Sequence, residues 1–277
     1  LVEPEDFERL KGVRSDPDDR DSLFRTGPRK LLQDGSLGAK SAEMIDGYVD
    51  DRENHGIPIY TEEELCSRIR AAHDIHMDVA VHAIGDLALK KVCDAMEKAE
   101  QANPWTDHRH GIVHAQTTTP ALLERMKELG LQAYIQPIFI DADMNIIAER
   151  VGEEHARDCY NWKAMLDLGL RVSGGSDCPV EPFNVLDNMR AAITRQNRAG
   201  TKTYLPEQAL TVEQAIRLFT SDAAWPSRDE GVRGTLEEGK QADLVVLDQD
   251  LFEVQPSRFP QVKVLETVLN GVTVYQA

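Results

Sequence analysis

Short apolar runs alternate with amphipathic stretches along most of this chain. The amphipathic stretches carry apolar residues three and four positions apart, as at Leu65, Ile69 and Ala72, which is the period of a helix. The apolar runs predict strands at Arg29–Asp34, Asp78–Ile84, Gly111–Ala115, Leu131–Gln136 and Arg171–Gly175. Strands that alternate with helices indicate βα units on a parallel sheet. The pattern therefore predicts an α/β protein with five such units.

Start and stop signals frame the predicted helices. Thr61–Glu64 and Thr211–Gln214 are capping boxes, in which the first and fourth residues satisfy each other's backbone N–H groups. Thr119–Pro120 supplies an N-cap followed by proline at the first helical position, and Gly130 ends that helix. Further helices are predicted at Gly85–Ala102, Ala156–Leu168 and Val185–Gln196.

Three regions lack this alternation. Residues 1–28 are polar, and Asp16–Asp19 is typical of a loop. The stretch that follows the first strand is too long for an ordinary connection, and its part from Leu37 to Tyr60 is predicted to border a substrate pocket. Beyond Gly231, Ala242–Leu247 and Glu266–Tyr275 indicate strands, the latter folded at an Asn270-Gly271 hairpin turn. We therefore predict a βα domain over residues 1–230 and a small β appendage over residues 231–277.

Composition excludes several classes of protein. Of the 277 residues, 48 are acidic and 31 are basic, giving a net charge of −17, whereas a nucleic-acid-binding surface must be basic. No apolar stretch reaches the roughly 20 residues of a membrane span. The four cysteines are scattered and form no CxxC pair, which is typical of a reduced, cytoplasmic protein. A small-molecule substrate remains the expected partner.

Four side chains suited to metal chemistry stand on or just after the predicted strands. They are Lys30, His82, His114 and Asp177. Each of these residues alone has a structural explanation. A histidine in an apolar strand is usually a core residue. Lys30 alone would be a solvated charge at the edge of a strand, and Asp177 alone would be a turn or N-cap residue. Because the carboxyl ends of parallel strands share one edge, the four together favour a site for a zinc-like ion.

The other histidines fall in loops or on helices, and we expect structural roles for them. They are His55, His73, His76, His108, His110 and His155.

Several segments together resemble one known family. Arg29–Ala42, Val81–Asp86, Ile112–Gln116 and Gly174–Val180 are similar to the amidohydrolase superfamily, and more narrowly to its family 3 branch. That branch comprises YtcJ-like hydrolases and includes N-substituted formamide deformylase. Gly234–Leu247 is similar to the segment by which these enzymes return to a small β-sandwich. The resemblance implies a partial TIM-type (β/α) barrel, strands four to eight, over residues 1–230, and the C-terminal part of a β-sandwich over residues 231–277.

The same resemblance implies roles for individual residues. Lys30 matches a lysine that is carboxylated and bridges two metals in many members, and His82 and His114 match metal-binding histidines. Asp177 matches a metal ligand that also serves as general base and acid. Asp34 and Gly35 match a family turn to which we assign no chemical role. One or two divalent ions, zinc foremost, are expected as cofactors.

One family motif is absent from the chain. These enzymes carry a His-x-His pair on the first barrel strand, and no such pair precedes Lys30. His108-Arg109-His110 has the spacing but lies between the second and third predicted strands. Strands one to three are therefore expected to be missing, and five βα units would leave an open sheet edge. A homo-oligomer is one way to cover that edge.

Two functions remain open at this point, and a third is disfavoured. The first is hydrolysis of a non-peptide amide C–N bond by metal-activated water, with Asp177 and His114 as catalytic residues. The alternative is a non-catalytic fragment or regulatory remnant that acts through protein association. A metal-free α/β hydrolase or a sugar-modifying barrel is disfavoured, since the sequence has neither a Gly-x-Ser-x-Gly elbow nor a phosphate-binding loop.

Overall fold

A computed structural model describes residues 26–277, so the loop predicted at Asp16–Asp19 lies outside the described residues. Eight strands are present in this part of the chain: β1 (Arg29–Leu32), β2 (Val79–Ala83), β3 (Gly111–His114), β4 (Gln132–Ile135), β5 (Val172–Gly174), β6 (Leu244–Leu247), β7 (Val264–Leu269) and β8 (Val272–Gln276).

Ten α-helices connect or follow these strands in the described residues: α1 (Glu62–His73), α2 (Asp86–Ala102), α3 (Pro120–Glu128), α4 (Ile140–Asp143), α5 (Ile147–Val151), α6 (Glu153–Ala156), α7 (Trp162–Leu168), α8 (Val185–Thr194), α9 (Val212–Leu218) and α10 (Ser221–Ala224). Short 3₁₀ helices occupy Pro137–Phe139, Pro206–Gln208 and Pro256–Gln261. No helix between residues 26 and 277 combines the length and the apolar composition that a membrane crossing requires.

The first five strands form one sheet in the order β1-β2-β3-β4-β5. The pairs β1–β2, β2–β3 and β3–β4 are parallel. The mixed α/β fold with a parallel sheet is therefore confirmed, while closure into a barrel stays a prediction. The described residues divide into two compact units, and the predicted domain boundary at residues 230/231 also stays a prediction.

The first unit holds the described residues up to Tyr134 together with Asn145–Asn161 and Met165–Arg171. Helices cover one face of its sheet: Arg29 on that face donates to the Arg68 carbonyl of α1 at 2.7 Å. The opposite face carries Lys30 and His82, which are half-buried, and Leu32, which is 40% exposed. Lys30 and His82 thus lie on the more exposed face of the sheet.

The long segment between β1 and α1 is packed against the rest of this unit. Tyr48 is buried, and its hydroxyl donates to the Ala42 carbonyl at 2.9 Å. Asp50 pairs with Lys40 and with Arg150 of α5, each at 2.8 Å. These contacts hold the segment in place without a helix or strand of its own.

The helix predicted at Ala156–Leu168 is confirmed only in its second part, α7 (Trp162–Leu168), because α6 ends at Ala156. Between α6 and α7, Tyr160 adopts a left-handed φ of 54°, which a right-handed helix does not accommodate. Its N–H donates to the Gln116 carbonyl at 3.0 Å. The bond to a distant segment therefore replaces the bond that would have continued the helix.

The second unit contains Ile135–Met144, Trp162–Ala164 and Val172–Ala277. Both predicted features in its later part are present: Thr211 and Gln214 form a capping box at the start of α9, and β7 and β8 form an antiparallel hairpin. Asn270 and Gly271 both have positive φ at the hairpin turn, as a type I′ turn requires. Together with β6 these strands make a three-stranded antiparallel sheet.

Candidate functional site

Two imidazoles from neighbouring strands of the first unit lie in contact. His82 is the penultimate residue of β2, and His114 is the last residue of β3. The register pairs His82 with Val113 and Ala83 with His114, so regular alternation would place the two rings on opposite faces. His114 instead has a left-handed φ of 79°, which breaks the alternation. The ring centroids lie 4.4 Å apart, edge to face.

The segment after β3 is fixed to the end of β2. Ala115 also has a positive φ, of 45°, and the chain then reaches the fully buried Thr117. The Thr117 N–H donates to the Ile84 carbonyl at 2.9 Å, and its hydroxyl donates to the same oxygen. A left-handed conformation outside glycine persists only where surrounding contacts impose it, and these contacts do so beside His114.

The His82 ring is held by the turn that follows β1. Its Nε2 atom lies 2.9 Å from the Gly35 carbonyl oxygen and 3.3 Å from Oδ1 of Asp34. A carbonyl oxygen only accepts, so Nε2 carries the hydrogen and donates it. In a neutral ring, Nδ1 is then the unprotonated nitrogen.

Asp34 ties three segments together through a fully buried carboxylate. Oδ1 accepts the Ile84 N–H at 3.0 Å, and Oδ2 accepts the N–H groups of Gly85 at 2.8 Å and Glu43 at 2.9 Å. Charge-assisted bonds of this kind are roughly twice as strong as neutral ones. The end of β2 and the long segment after β1 are therefore fixed to one side chain.

Glu43 extends this network toward α2. Its carboxylate accepts from Lys91 at 2.6 Å and from Gln33 at 2.7 Å, and its side chain is almost fully buried. Its backbone carbonyl accepts the Leu87 N–H at 3.0 Å. The polar groups behind His82 are thus held on several sides.

The other two sequence candidates occupy different surroundings. Lys30 is half-buried on β1 and shares the sheet face of His82, since the register pairs Lys30 with Ala80 and Leu32 with His82. Asp177 belongs to the second unit, where it is exposed in a turn after β5 with a φ of 57°. The roles assigned to both residues stay predictions.

A cluster of histidines at the start of β2 is structural. His110 Nδ1 accepts the Val79 N–H at 3.0 Å, and its Nε2 lies 2.9 Å from Nδ1 of His73. His73 Nε2 lies 2.6 Å from the Asn103 carbonyl oxygen. Both nitrogens of each ring are therefore engaged in one hydrogen-bonded chain, which Trp105 borders.

Asp86, the first residue of α2, is a second buried carboxylate in this unit. Oδ1 accepts the N–H groups of Ile45 and Leu87, each at 2.9 Å, and Oδ2 lies 3.9 Å from Nε2 of His155. Burial raises the pKa of Asp86, and the Ile45 N–H and the His155 ring oppose that rise. Folding therefore shifts the ionisation equilibrium of this carboxyl group toward its protonated form.

Replacement of Asp86 by asparagine should reveal this shift. Asparagine keeps an oxygen for both N–H groups but does not ionise. A carboxyl pKa raised by folding gives stability that is present below the ordinary value of 3.8 and lost as pH rises through the folded value. The native protein should therefore lose this stability between pH 4 and pH 7, whereas Asp86→Asn should not. The difference in urea midpoint, Asp86→Asn minus native, should increase over that range. A difference that is constant with pH would contradict the raised pKa.

The imidazole pair fits a transition-metal ion by its chemistry. Neutral imidazole nitrogens suit zinc, and a ligating histidine commonly donates its other N–H to a carbonyl or a carboxylate. His82 has that arrangement, with Nε2 on Gly35 and Asp34 and with no hydrogen bond to Nδ1 from the described residues. Within residues 26–277, no three His, Cys, Asp or Glu side chains are grouped as a metal site, so the fit rests on the pair.

Comparison with known proteins gives a consistent family. The model of the amidohydrolase family matches residues 2–275. The amidohydrolase YtcJ of Bacillus subtilis is 34% identical over 90% of this chain and 47% of its own length. N-substituted formamide deformylase of Arthrobacter pascens is 29% identical over 92% of this chain and 46% of its own length. The chain thus spans about half the length of these curated relatives.

A solved structure shares the fold. An uncharacterised metal-dependent hydrolase from Pyrococcus horikoshii superposes with a TM-score of 0.80 at 31% identity. The match covers 91% of this chain and 50% of that protein.

Proposed function

This chain belongs to the amidohydrolase family, and we propose on that basis that it forms part of a metal-dependent hydrolase that cleaves an amide-type C–N bond in a small, non-peptide substrate. The observation that carries the proposal is the contact between the His82 and His114 rings, 4.4 Å apart. The backbone at His114 departs from strand geometry, with a φ of 79°, at the residue that makes this contact. Local strain of this kind concentrates at functional sites.

His82 and His114 would hold the ion, and Lys30 and Asp177 are proposed as further ligands from the family motif. When bound, such an ion polarises a carbonyl group and lowers the pKa of water to about 7. Asp177 is proposed to take a proton from the attacking water and to deliver it to the departing nitrogen. His114 is proposed to help stabilise the negative charge on the carbonyl oxygen.

The substrate class follows from a relative and not from the pocket. Similarity to a protein named N-substituted formamide deformylase supports a small amide, and a formamide in particular. The segment from Leu37 to Tyr60 would shape the substrate pocket, and loops of this type vary in specificity on one scaffold. A cytoplasmic setting is proposed from the scattered cysteines.

Metal content tests the proposal directly. Intact native protein should retain at least one zinc-like ion per chain after dialysis, measured by elemental analysis. The double variant His82→Gln/His114→Gln should bind zinc at least tenfold more weakly, because loss of a supporting partner alone costs roughly 10–100-fold.

His155→Gln is the matched control. His155 is half-buried and bonds the Thr118 carbonyl at 3.1 Å, a bond that glutamine can also donate, so this variant should keep its metal. Equal zinc affinity in the double variant and the control would reject the histidine pair as ligands. Weak or no stoichiometric zinc in the native protein would favour the alternative of a non-catalytic remnant.

A further inference from the structure

We infer that the Asp34-Gly35 turn sets the tautomer and the orientation of the His82 ring, with the proton on Nε2 and Nδ1 left for the metal. Asp34 is thus a positioning residue and does not act on the substrate. This inference deepens the proposed function and rests on it for the identity of the ligand at Nδ1. The tautomer itself is a property of the metal-free protein and can be measured separately.

The two acceptors around Nε2 leave one arrangement for the ring proton. The Gly35 carbonyl oxygen is 2.9 Å away and Asp34 Oδ1 is 3.3 Å away. Both atoms only accept, so a ring with its proton on Nδ1 would direct an Nε2 lone pair at two oxygen atoms. The nearby carboxylate also stabilises the N–H dipole in this orientation.

The acceptors are themselves fixed in position. Three backbone N–H groups hold the Asp34 carboxylate. The Gly35 N–H donates to the Ser41 carbonyl at 3.1 Å. A Cβ atom at Gly35 would lie 2.1 Å from Ser41 Oγ and 2.6 Å from Ser41 Cβ, so a larger residue must displace the turn. The ring therefore meets a rigid pair of acceptors.

A role for Asp34 in fold stability alone makes a different prediction. In that case the carboxylate would only join the ends of β1 and β2, and the His82 tautomer would be indifferent to it. Asp86 is the natural comparison, because it is also a buried carboxylate that accepts two backbone N–H groups. It contacts His155 and not His82.

The first experiment needs no change at Asp34. Long-range ¹H–¹⁵N spectra of ¹⁵N-histidine-labelled, metal-free protein at mildly alkaline pH report which ring nitrogen carries the proton. The spectrum of His82→Gln assigns the His82 signals by their loss. We expect a proton on Nε2, and a proton on Nδ1 or an even mixture of tautomers would overturn the inference.

The second experiment compares Asp34→Asn and Gly35→Ala with Asp86→Asn. The first two should populate the Nδ1–H tautomer of His82 and lower zinc affinity about 10–100-fold, while Asp86→Asn should change neither. An unaltered His82 tautomer in a folded Asp34→Asn protein would reduce Asp34 to a structural role. If that variant does not fold, the native tautomer still decides.

The two proposals can fail separately. An Nε2–H tautomer in a protein that binds no zinc would support the inference and refute the proposed function. A zinc-binding protein with His82 protonated on Nδ1 would refute the inference and leave the proposed function standing.

Discussion

Asp177→Asn is expected to lower kcat of the intact enzyme by roughly 10²–10⁴-fold, the usual contribution of a general acid or base. Asparagine keeps the size of the side chain and an oxygen atom but cannot accept and return a proton. The fold should be spared, since Asp177 is exposed and its left-handed φ of 57° is one that asparagine tolerates as well as aspartate. Steady-state kinetics on a formamide, with circular dichroism as the check on folding, measures this effect.

Asp250→Asn is the matched control, because Asp250 is also exposed and accepts the Phe252 N–H at 2.8 Å in the same unit. It should leave kcat unchanged. Full activity in Asp177→Asn would remove Asp177 from the mechanism, and an equal loss in both variants would indicate a nonspecific effect.

Gly85→Ala should destabilise the protein by about 3 kcal/mol, the upper end of what overpacking usually costs. A Cβ atom there would lie 1.9 Å from the Glu43 carbonyl oxygen and 2.5–2.6 Å from other backbone atoms of Glu43. Backbone cannot rotate away as a side chain can, so the segment that carries Glu43 must shift. The Asp34 bonds to both Gly85 and Glu43 would be strained with it. Chemical denaturation measures the loss of free energy of unfolding.

Gly231→Ala provides the comparison. A Cβ atom at Gly231 meets nothing within 4 Å, and its φ is not in the left-handed region. The unfolding midpoint of Gly231→Ala should match that of the native protein. A Gly85→Ala protein as stable as this control would contradict the close packing around Asp34.

Local patterns in the sequence were sufficient to predict most of the sheet. The strand around His82 is a continuous apolar run, and the helices begin at residues whose caps need only local partners, as at Thr61 and Glu64. The parallel arrangement of these strands then follows from the alternation of strands with helices along the chain. What the pattern missed is the break at Tyr160, because the bond that replaces the helix comes from Gln116, far away in the chain.

The sequence was sufficient to predict which histidines belong to the candidate site, but not how their rings are arranged. Strand ends point to His82 and His114, yet alternation alone would separate their rings, and nothing local to the sequence indicates the left-handed φ at His114. The part played by Asp34 was also missed, since its partners Ile84 and Gly85 lie about fifty residues further on. The Asp34-Gly35 pair after the first strand was the visible signal, and only the fold shows which N–H groups it meets.

Anomalous diffraction at the zinc edge, from crystals of the intact protein grown with zinc, would locate the metal ion relative to His82 and His114. We expect a peak about 2.0–2.1 Å from Nδ1 of His82 and at the same distance from a ring nitrogen of His114. A zinc peak elsewhere in the protein, with these two rings bound to no ion, would contradict this expectation.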